Sequence, residues 1–200
     1  MQEIEAKFYV RDLGKIESRL QALETRLIQP RVLETNIRFD LPDGGLRSEG
    51  RVLRLRQDTA ARLTYKGAGK SEQGIVNRTE IEFTVEDFNK AKNFLEALGY
   101  QKLLQYNKYR TTYELEHCHI MLDELPYGNF VEIEGENITT IRSTAAKLNL
   151  DMQAAISASY SSLFEKVRRS LRLTFTDLTF ANFAGLNVTA KELSVHAADE

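Results

Sequence analysis

The sequence predicts an α+β protein whose antiparallel sheet closes on itself into a barrel, with helices on the outside. Three observations carry that expectation. Several short segments alternate apolar and charged residues with period two, the mark of a strand with two unlike faces. Segments of helical period lie between them, and their apolar stripes need the apolar side of a sheet to cover. The charged faces repeat Glu-x-Glu and Arg-x-Arg, like-sign neighbours that repel unless counter-charges approach from elsewhere. With helices on the apolar side, closing the sheet turns the charged sides into the lining of an interior.

The elements follow in order. Glu3, Glu5 and Lys7 share one face of the first strand, opposite Ile4, Ala6 and Phe8. Leu13, Ile16, Leu20 and Leu23 then recur at helical spacing, with Asp12 placed to cap the helix. A strand runs from about residue 34 to 40, with Ile37 and Phe39 on one side. In the next strands Arg54 and Arg56 share a face, then Arg62, Thr64 and Lys66, then Arg78, Glu80 and Glu82. A helix carrying Phe88, Ala91, Phe94, Leu95 and Leu98 ends at Gly99, a C-terminal cap. Lys108 and Arg110 oppose Tyr109 and Thr111; His119, Met121 and Asp123 oppose Ile120 and Leu122; Glu132 and Glu134 oppose Val131 and Ile133. A third helix carries Ile141, Ala145 and Leu148, and a fourth spans about 154–169. Glu-Ile-Glu occurs at 3–5, 80–82 and 132–134, each time followed by an amphipathic helix, which suggests related strand-helix units.

No Pro-, Gly- or Ser-rich linker divides the 200 residues, so one domain is expected over 1–170. Residues 171–200 form an extension too apolar for a free tail, folded back on the body with only its last residues loose; it could also pack against a second copy in a homodimer. Lys plus Arg is 27 and Asp plus Glu 29, a net charge of −2, which offers no broad field for nucleic acid or an anionic membrane. No apolar run reaches membrane-spanning length, and the charged start at residues 1–10 does not resemble a signal peptide. A single cysteine, Cys118, excludes an internal disulfide and fits a reducing, cytoplasmic setting.

A lining with both signs of charge has a specific chemical use. Guanidinium groups grip phosphate bidentately and lysines add point charge. Mg²⁺ and Mn²⁺ prefer carboxylate oxygens and need only one or two of them beside phosphate oxygens. Carboxylates repel a polyphosphate unless metal lies between, so each ligand becomes a condition for the other. Hydrolysis then follows from positioning and charge neutralisation of an in-line displacement.

These residues also carry a family resemblance. Glu3-Ile4-Glu5-Ala6-Lys7 resembles the E-x-E-x-K signature of the CYTH superfamily, the triphosphate tunnel metalloenzymes. The later pieces follow in the family's order: Leu53 to Arg56, Lys66, Arg78 to Glu82, Lys108 to Arg110, Asp123, Glu132 to Glu134, and the Ser159-Tyr160-Ser161-Ser162-Leu163 segment. The resemblance implies an eight-stranded antiparallel tunnel with flanking helices, acting on a triphosphate with Mg²⁺ or Mn²⁺. It implies metal ligands, or close partners of them, at Glu3, Glu5, Glu132 and Glu134, assisted by Asp123 and Glu80 or Glu82. It implies phosphate contacts at Lys7, Arg54, Arg56, Lys66, Arg78, Lys108 and Arg110. Lys7 is also the implied general base, a role that needs a lowered pKa. The family includes triphosphatases and class IV adenylate cyclases. The His-Phe pair of the cyclases is absent ahead of Glu3, which favours hydrolysis, although Leu41-Pro42-Asp43-Gly44 resembles cyclase relatives.

Two motifs are decoys. Gly69-Lys70-Ser71 lacks the first glycine of a phosphate loop, since Thr64 stands there, and reads as a turn at the tunnel mouth. His117-Cys118-His119 puts its histidines opposite the cysteine and has no second cluster to complete a zinc site. A polyphosphate binder without turnover is the competing reading from another class; such a protein would have no use for so many carboxylates.

Overall fold

The computed structural model describes residues 2–200. In chain order the elements are β1 (Gln2–Val10), α1 (Leu13–Ala22), β2 (Arg26–Asp40), α2 (Gly45–Ser48), β3 (Val52–Gln57), β4 (Ala61–Lys66), β5 (Lys70–Glu72), β6 (Ile75–Val85), α3 (Phe88–Ala97), β7 (Gln101–Leu115), β8 (Cys118–Leu125), β9 (Gly128–Gly135), α4 (Ile138–Lys147), α5 (Tyr160–Leu171) and α6 (Ala190–Leu193). The sheet order β1-β9-β8-β7-β2-β3-β4-β6 returns to β1 through β6, so eight antiparallel strands form a ring with helices around it. Closure rests on a short ladder, from Gln2 opposite Thr79 to Ala6 opposite Ile75. The ninth strand, β5, lies beside the first half of β6 through a turn in which Gln73 and Gly74 both have positive φ. A side chain at position 74 would also collide with Ala155, so glycine is required there twice over.

The three Glu-Ile-Glu copies lie on β1, β6 and β9, which are neighbours in the ring, and each strand leads into a helix capped by Asp12, Asp87 or Asn137. The outward residues of β1, β8 and β9 pack under α1 and α4 in one core containing Phe8, Ile16, Leu20, Ile120, Ile133 and Ile141. A smaller core joins Ile37, Phe39 and Leu55 to Leu95 of α3. That helix buries less than its apolar stripe predicts, because Phe94 and Leu98 are 62% and 59% exposed. It leans on β3 and β4 through Phe88, Ala91 and Leu95, and the rest of the stripe points away from them.

A second large core stoppers the tunnel. Tyr9, Leu104, Leu125 and Phe130 meet Tyr160, Leu163, Phe164 and Val167 of α5 and Leu178, Phe183 and Leu193 of the C-terminal segment. The ring of Phe130 lies 5.6 Å from Tyr9 and 5.2 Å from Tyr160, both edge-on. The fourth helix starts later than its apolar pattern suggests, because Ser159 caps it by accepting from the Ser162 N–H. The preceding residues run extended along β1, with the Ile156 N–H donating to the Lys7 carbonyl. The C-terminal segment packs most of its apolar residues within the chain, Leu186 excepted. Its last residues are tied down, not loose: the Ala198 N–H donates to the Tyr9 carbonyl and the Asp199 carboxylate accepts from Arg11 N and Asp12 N. Among the described residues no helix is long and apolar enough to cross a membrane.

Leu178 is fully buried and pairs with β7 through the Asn107 and Gln105 backbone. Leu178→Ala is therefore expected to lower stability by about 2–4 kcal/mol in urea unfolding, a cavity cost; a loss below about 1 kcal/mol would mean the C-terminal segment is not part of the cooperative core.

Candidate active site

The ring encloses a cavity of about 550 Å³. Of the residues named from the sequence, Glu3, Glu5, Lys7, Arg54, Arg56, Lys66, Arg78, Glu80, Glu82, Lys108, Arg110, Glu132 and Glu134 line it. Asp123 does not: it is fully buried beneath the lining. Strand order polarises the tunnel. The three Glu-x-Glu strands are contiguous and form a carboxylate-rich wall that also carries Lys7 and Arg78, while β7, β2, β3 and β4 form the facing wall with Lys108, Arg110, Arg38, Arg54, Arg56 and Lys66.

The walls are stitched together by ion pairs. Lys66 Nζ donates to Glu3 at 2.6 Å and lies 3.0 Å from Glu80. Arg78 spans Glu3 at 2.8 Å and Glu5 at 3.1 Å. Arg54 and Arg56 converge on Glu82, at 3.4 and 3.0 Å, and Thr64 Oγ1 donates to the same carboxylate at 2.7 Å. Asp123 accepts from Lys108 at 2.8 Å, from Arg110 Nε at 2.6 Å and from the Tyr160 hydroxyl at 2.8 Å. Both its oxygens are thus committed to holding cations in place. Arg110 also pairs with Glu132, which lies 3.2 Å from Lys7 Nζ.

The electrostatics sort these groups by role. Burial works against the Glu132 charge, but Lys7, Arg110 and Lys108 hold its carboxyl well below the usual range. Burial likewise disfavours the Lys7 ammonium, yet Glu132 and Glu5 more than compensate and its pKa is raised. The ligand-free site therefore holds Lys7 charged, against the lowered pKa that a general base requires. The Tyr160 ring, 4.5 Å from Nζ, adds a cation–π contact. Glu134 is the opposite case. Burial first, then the charges of Glu3 and Glu80, push it up to about 7.

Two lining residues escaped the sequence reading, Arg38 and Tyr106, and four more that it named without a site role also line the cavity: Met121, Ser159, Tyr160 and Ser161. Glu34 also joins the site from below, 3.5 Å from Arg56 and 3.6 Å from Lys108, and those cations with Arg110 hold its pKa at about 2 although burial opposes the charge. The signal for Glu34 and Arg38 was present, since both alternate with Ile37 and Phe39 on β2. Tyr106 likewise keeps step with Lys108 and Arg110 on β7. Lys70 of the Gly-Lys-Ser turn is exposed and off the cavity, and Cys118 is buried while His117 and His119 are exposed.

Among the described residues no three carboxylates converge into a ready-made metal cage. The donor set nevertheless fits a hard divalent cation. Glu3, Glu5, Glu80 and Glu134 share one wall, their mutual repulsion is visible in the raised Glu134 pKa, and a metal carrying phosphate oxygens needs few protein ligands.

A closed antiparallel ring lined by cations and carboxylates and stoppered at one end defines a charged-tunnel protein. The CYTH domain profile matches residues 1–170, and the chain belongs to the CYTH family. It is 28% identical over 176 residues to a Methanocaldococcus jannaschii protein named as a candidate adenylate cyclase, covering 86% of this chain and 99% of that one. It is 30% identical over 135 residues to adenylate cyclase CyaB of Aeromonas hydrophila, covering 66% and 67%. Among solved structures it resembles HpAC1 of Hippeastrum, with a TM-score of 0.62 at 20% identity over 86% of this chain and 97% of that one. The family acts on triphosphate-containing substrates such as ATP and depends in general on divalent metal.

The Glu134 shift has a pH signature in the metal-free protein. Below pH 4.5 the carboxyl is neutral in both folded and unfolded chains. As pH rises towards and through 7 the folded chain must accept a charge the unfolded chain carries freely, so stability falls across that window. In chelator, Glu134→Gln is expected to melt above the parent at pH 8, the gap closing towards pH 4.5; equal melting at pH 8 would contradict the crowding of carboxylates.

Proposed function

We propose that the tunnel is the active site of a divalent-metal-dependent triphosphatase, hydrolysing inorganic tripolyphosphate or an organic triphosphate such as thiamine triphosphate or a nucleoside triphosphate. The observation that supports it is the facing of a cation wall and a carboxylate wall across one cavity. A simple anion binder gains nothing from the second wall. HpAC1, described as a candidate adenylyl cyclase with a dominant triphosphatase activity, is compatible with hydrolysis on this fold.

In this reading Arg54, Arg56, Lys66, Arg78, Lys108 and Arg110 bind and orient the phosphate chain, exchanging intramolecular carboxylates for phosphate oxygens. Asp123, Glu34 and Tyr160 are positioning residues that fix Lys108 and Arg110. Glu3, Glu5, Glu80 and Glu134 would hold Mg²⁺ or Mn²⁺, with Glu132 and Glu82 beside them; a metal held there would neutralise charge on the phosphoryl oxygens. Lys7 acts as an ammonium, its proton held by Glu132, and stabilises charge that develops on the transferred group. The aromatic stopper keeps bulk water from one end of the tunnel and raises the strength of every ionic contact inside.

Class IV-type cyclisation of ATP to cyclic AMP and pyrophosphate is the second reading, favoured by the names of the two curated relatives. Assaying tripolyphosphate, thiamine triphosphate and ATP with Mg²⁺ or Mn²⁺, for orthophosphate and cyclic AMP together, separates the two. Binding without turnover on all three would sink both.

Glu5→Gln is expected to cut turnover by at least about tenfold and shift the metal titration to higher concentration, with the circular-dichroism spectrum retained; an unmoved titration would remove Glu5 from the metal set. Arg54→Ala is expected to weaken substrate by on the order of 1.5–3 kcal/mol, the worth of a charged hydrogen bond, read as KM; unaltered kinetics would take Arg54 out of the site.

A further inference from the structure

Eight cations line the tunnel: Lys7, Arg38, Arg54, Arg56, Lys66, Arg78, Lys108 and Arg110. Seven have a carboxylate within ion-pair distance. Among the described residues Arg38 alone of the set has none. Its Nη1 donates to the Ser161 hydroxyl at the start of α5, and its Nε is buried without a partner. Asp40, two residues on, makes no ion pair with it; its Oδ1 accepts from Leu41 N and Leu46 N and its Oδ2 from Arg47 N. The charges around Arg38 make its position worse: Arg54 stands in register across the β2–β3 ladder, and Arg78 repels it from the carboxylate wall. Burial and these neighbours press its pKa down, with Tyr106 and Asp40 only partly opposing them.

A second orphan adjoins it. Asn36, on the same face of β2 and in register with Arg56 and Tyr106, is fully buried, and neither end of its amide has a hydrogen-bond partner. A buried charge without a counter-ion is costly, and such groups persist where a ligand supplies the missing partner. The local chemistry specifies that ligand. The guanidinium fork suits two oxygens of one tetrahedral group, and the Ser159 and Ser161 hydroxyls, 2.9 Å apart, line the same cavity. Among the described residues no carboxylate lies within ion-pair distance of this guanidinium.

We propose that Arg38, with the Ser161 hydroxyl, forms an anion subsite of the tunnel that takes one phosphoryl group of the substrate directly, without bridging metal. This deepens the triphosphate reading and rests on it. The subsite lies at the junction of β2 with the first turn of α5, so occupying it also fastens that turn over the bound chain.

Isothermal titration of the full chain with sodium tripolyphosphate in EDTA tests it, with Arg54→Ala as comparator. Arg38→Met is expected to weaken binding on the order of ten- to a hundredfold, Ser161→Ala less, and Arg38→Lys to recover part of the loss. Without ligand, Arg38→Met is expected to melt no lower than the parent, because it removes a half-buried charge that has no carboxylate partner among the described residues. A parental Kd in Arg38→Met, alongside a loss in Arg54→Ala, would overturn the subsite and leave the function standing. So would binding by the parent only when metal is added, or a melting point for Arg38→Met well below the parent's. Absence of tripolyphosphate binding by the parent under any condition would instead overturn the function.

Discussion

Everything in this protein depends on pairing charges across a closed ring. Glu3 and Glu5 on β1, or Arg54 and Arg56 on β3, are like-charged neighbours that a lone strand cannot tolerate out of water. They become compatible only when walls of opposite sign face each other, and that requires the short β1–β6 ladder to shut the sheet. Arg78 shows the coupling directly. It stands opposite Glu3 in that ladder and its guanidinium holds Glu3 and Glu5 together. Closure and site assembly are thus one event, with the same residues serving both.

Stability alone does not explain so many buried ions. Removing two charges from water costs several kcal/mol per ion, and their attraction inside only roughly repays it, so apolar residues of similar size often do as well or better. The outward faces of the same strands show that solution: Phe8, Ile120 and Ile133 pack in an ordinary core. An inward apolar lining was equally available, and the chain uses one at the stopper, where Tyr9 and Phe130 continue the faces of Lys7 and Glu132. The switch from aromatic to ionic along one face of one strand marks where packing ends and ligand chemistry begins.

Much of this was legible in the sequence because the strand period is two and the residues are extreme. Glu3-Ile4-Glu5 or Leu53-Arg54-Leu55-Arg56 states both faces at once. Legibility failed where the alternation was diluted. On β2, Glu34, Asn36 and Arg38 are interleaved with Thr35, Ile37 and Phe39, a mixed set that reads as an ordinary amphipathic strand until the cross-strand register places it beside Arg54 and Lys108. Asp123 was found as an inward acid, but its commitment to Lys108, Arg110 and Tyr160 depends on three other elements. Nor could local pattern show that Glu132 would keep Lys7 protonated. The apolar stripe of α3 overstated burial for a related reason: periodicity identifies a face, while the neighbouring strands decide how much of it is covered.

The same distinction between spent and unspent charge organises the site. Asp123 has each oxygen assigned, and Glu34 is ionised far below neutrality by the cations around it, so both behave as fixed parts of the wall. Glu134, with a pKa near 7, and Arg38, with no carboxylate, are left electrically unsatisfied on opposite sides of the cavity. One asks for a cation and the other for an anion. In the proposed function a divalent metal and a phosphate chain would answer both demands together, and either alone would leave the other group uncompensated. On that proposal ligand selection in this tunnel follows from the charges the fold leaves unpaired, more than from those it pairs.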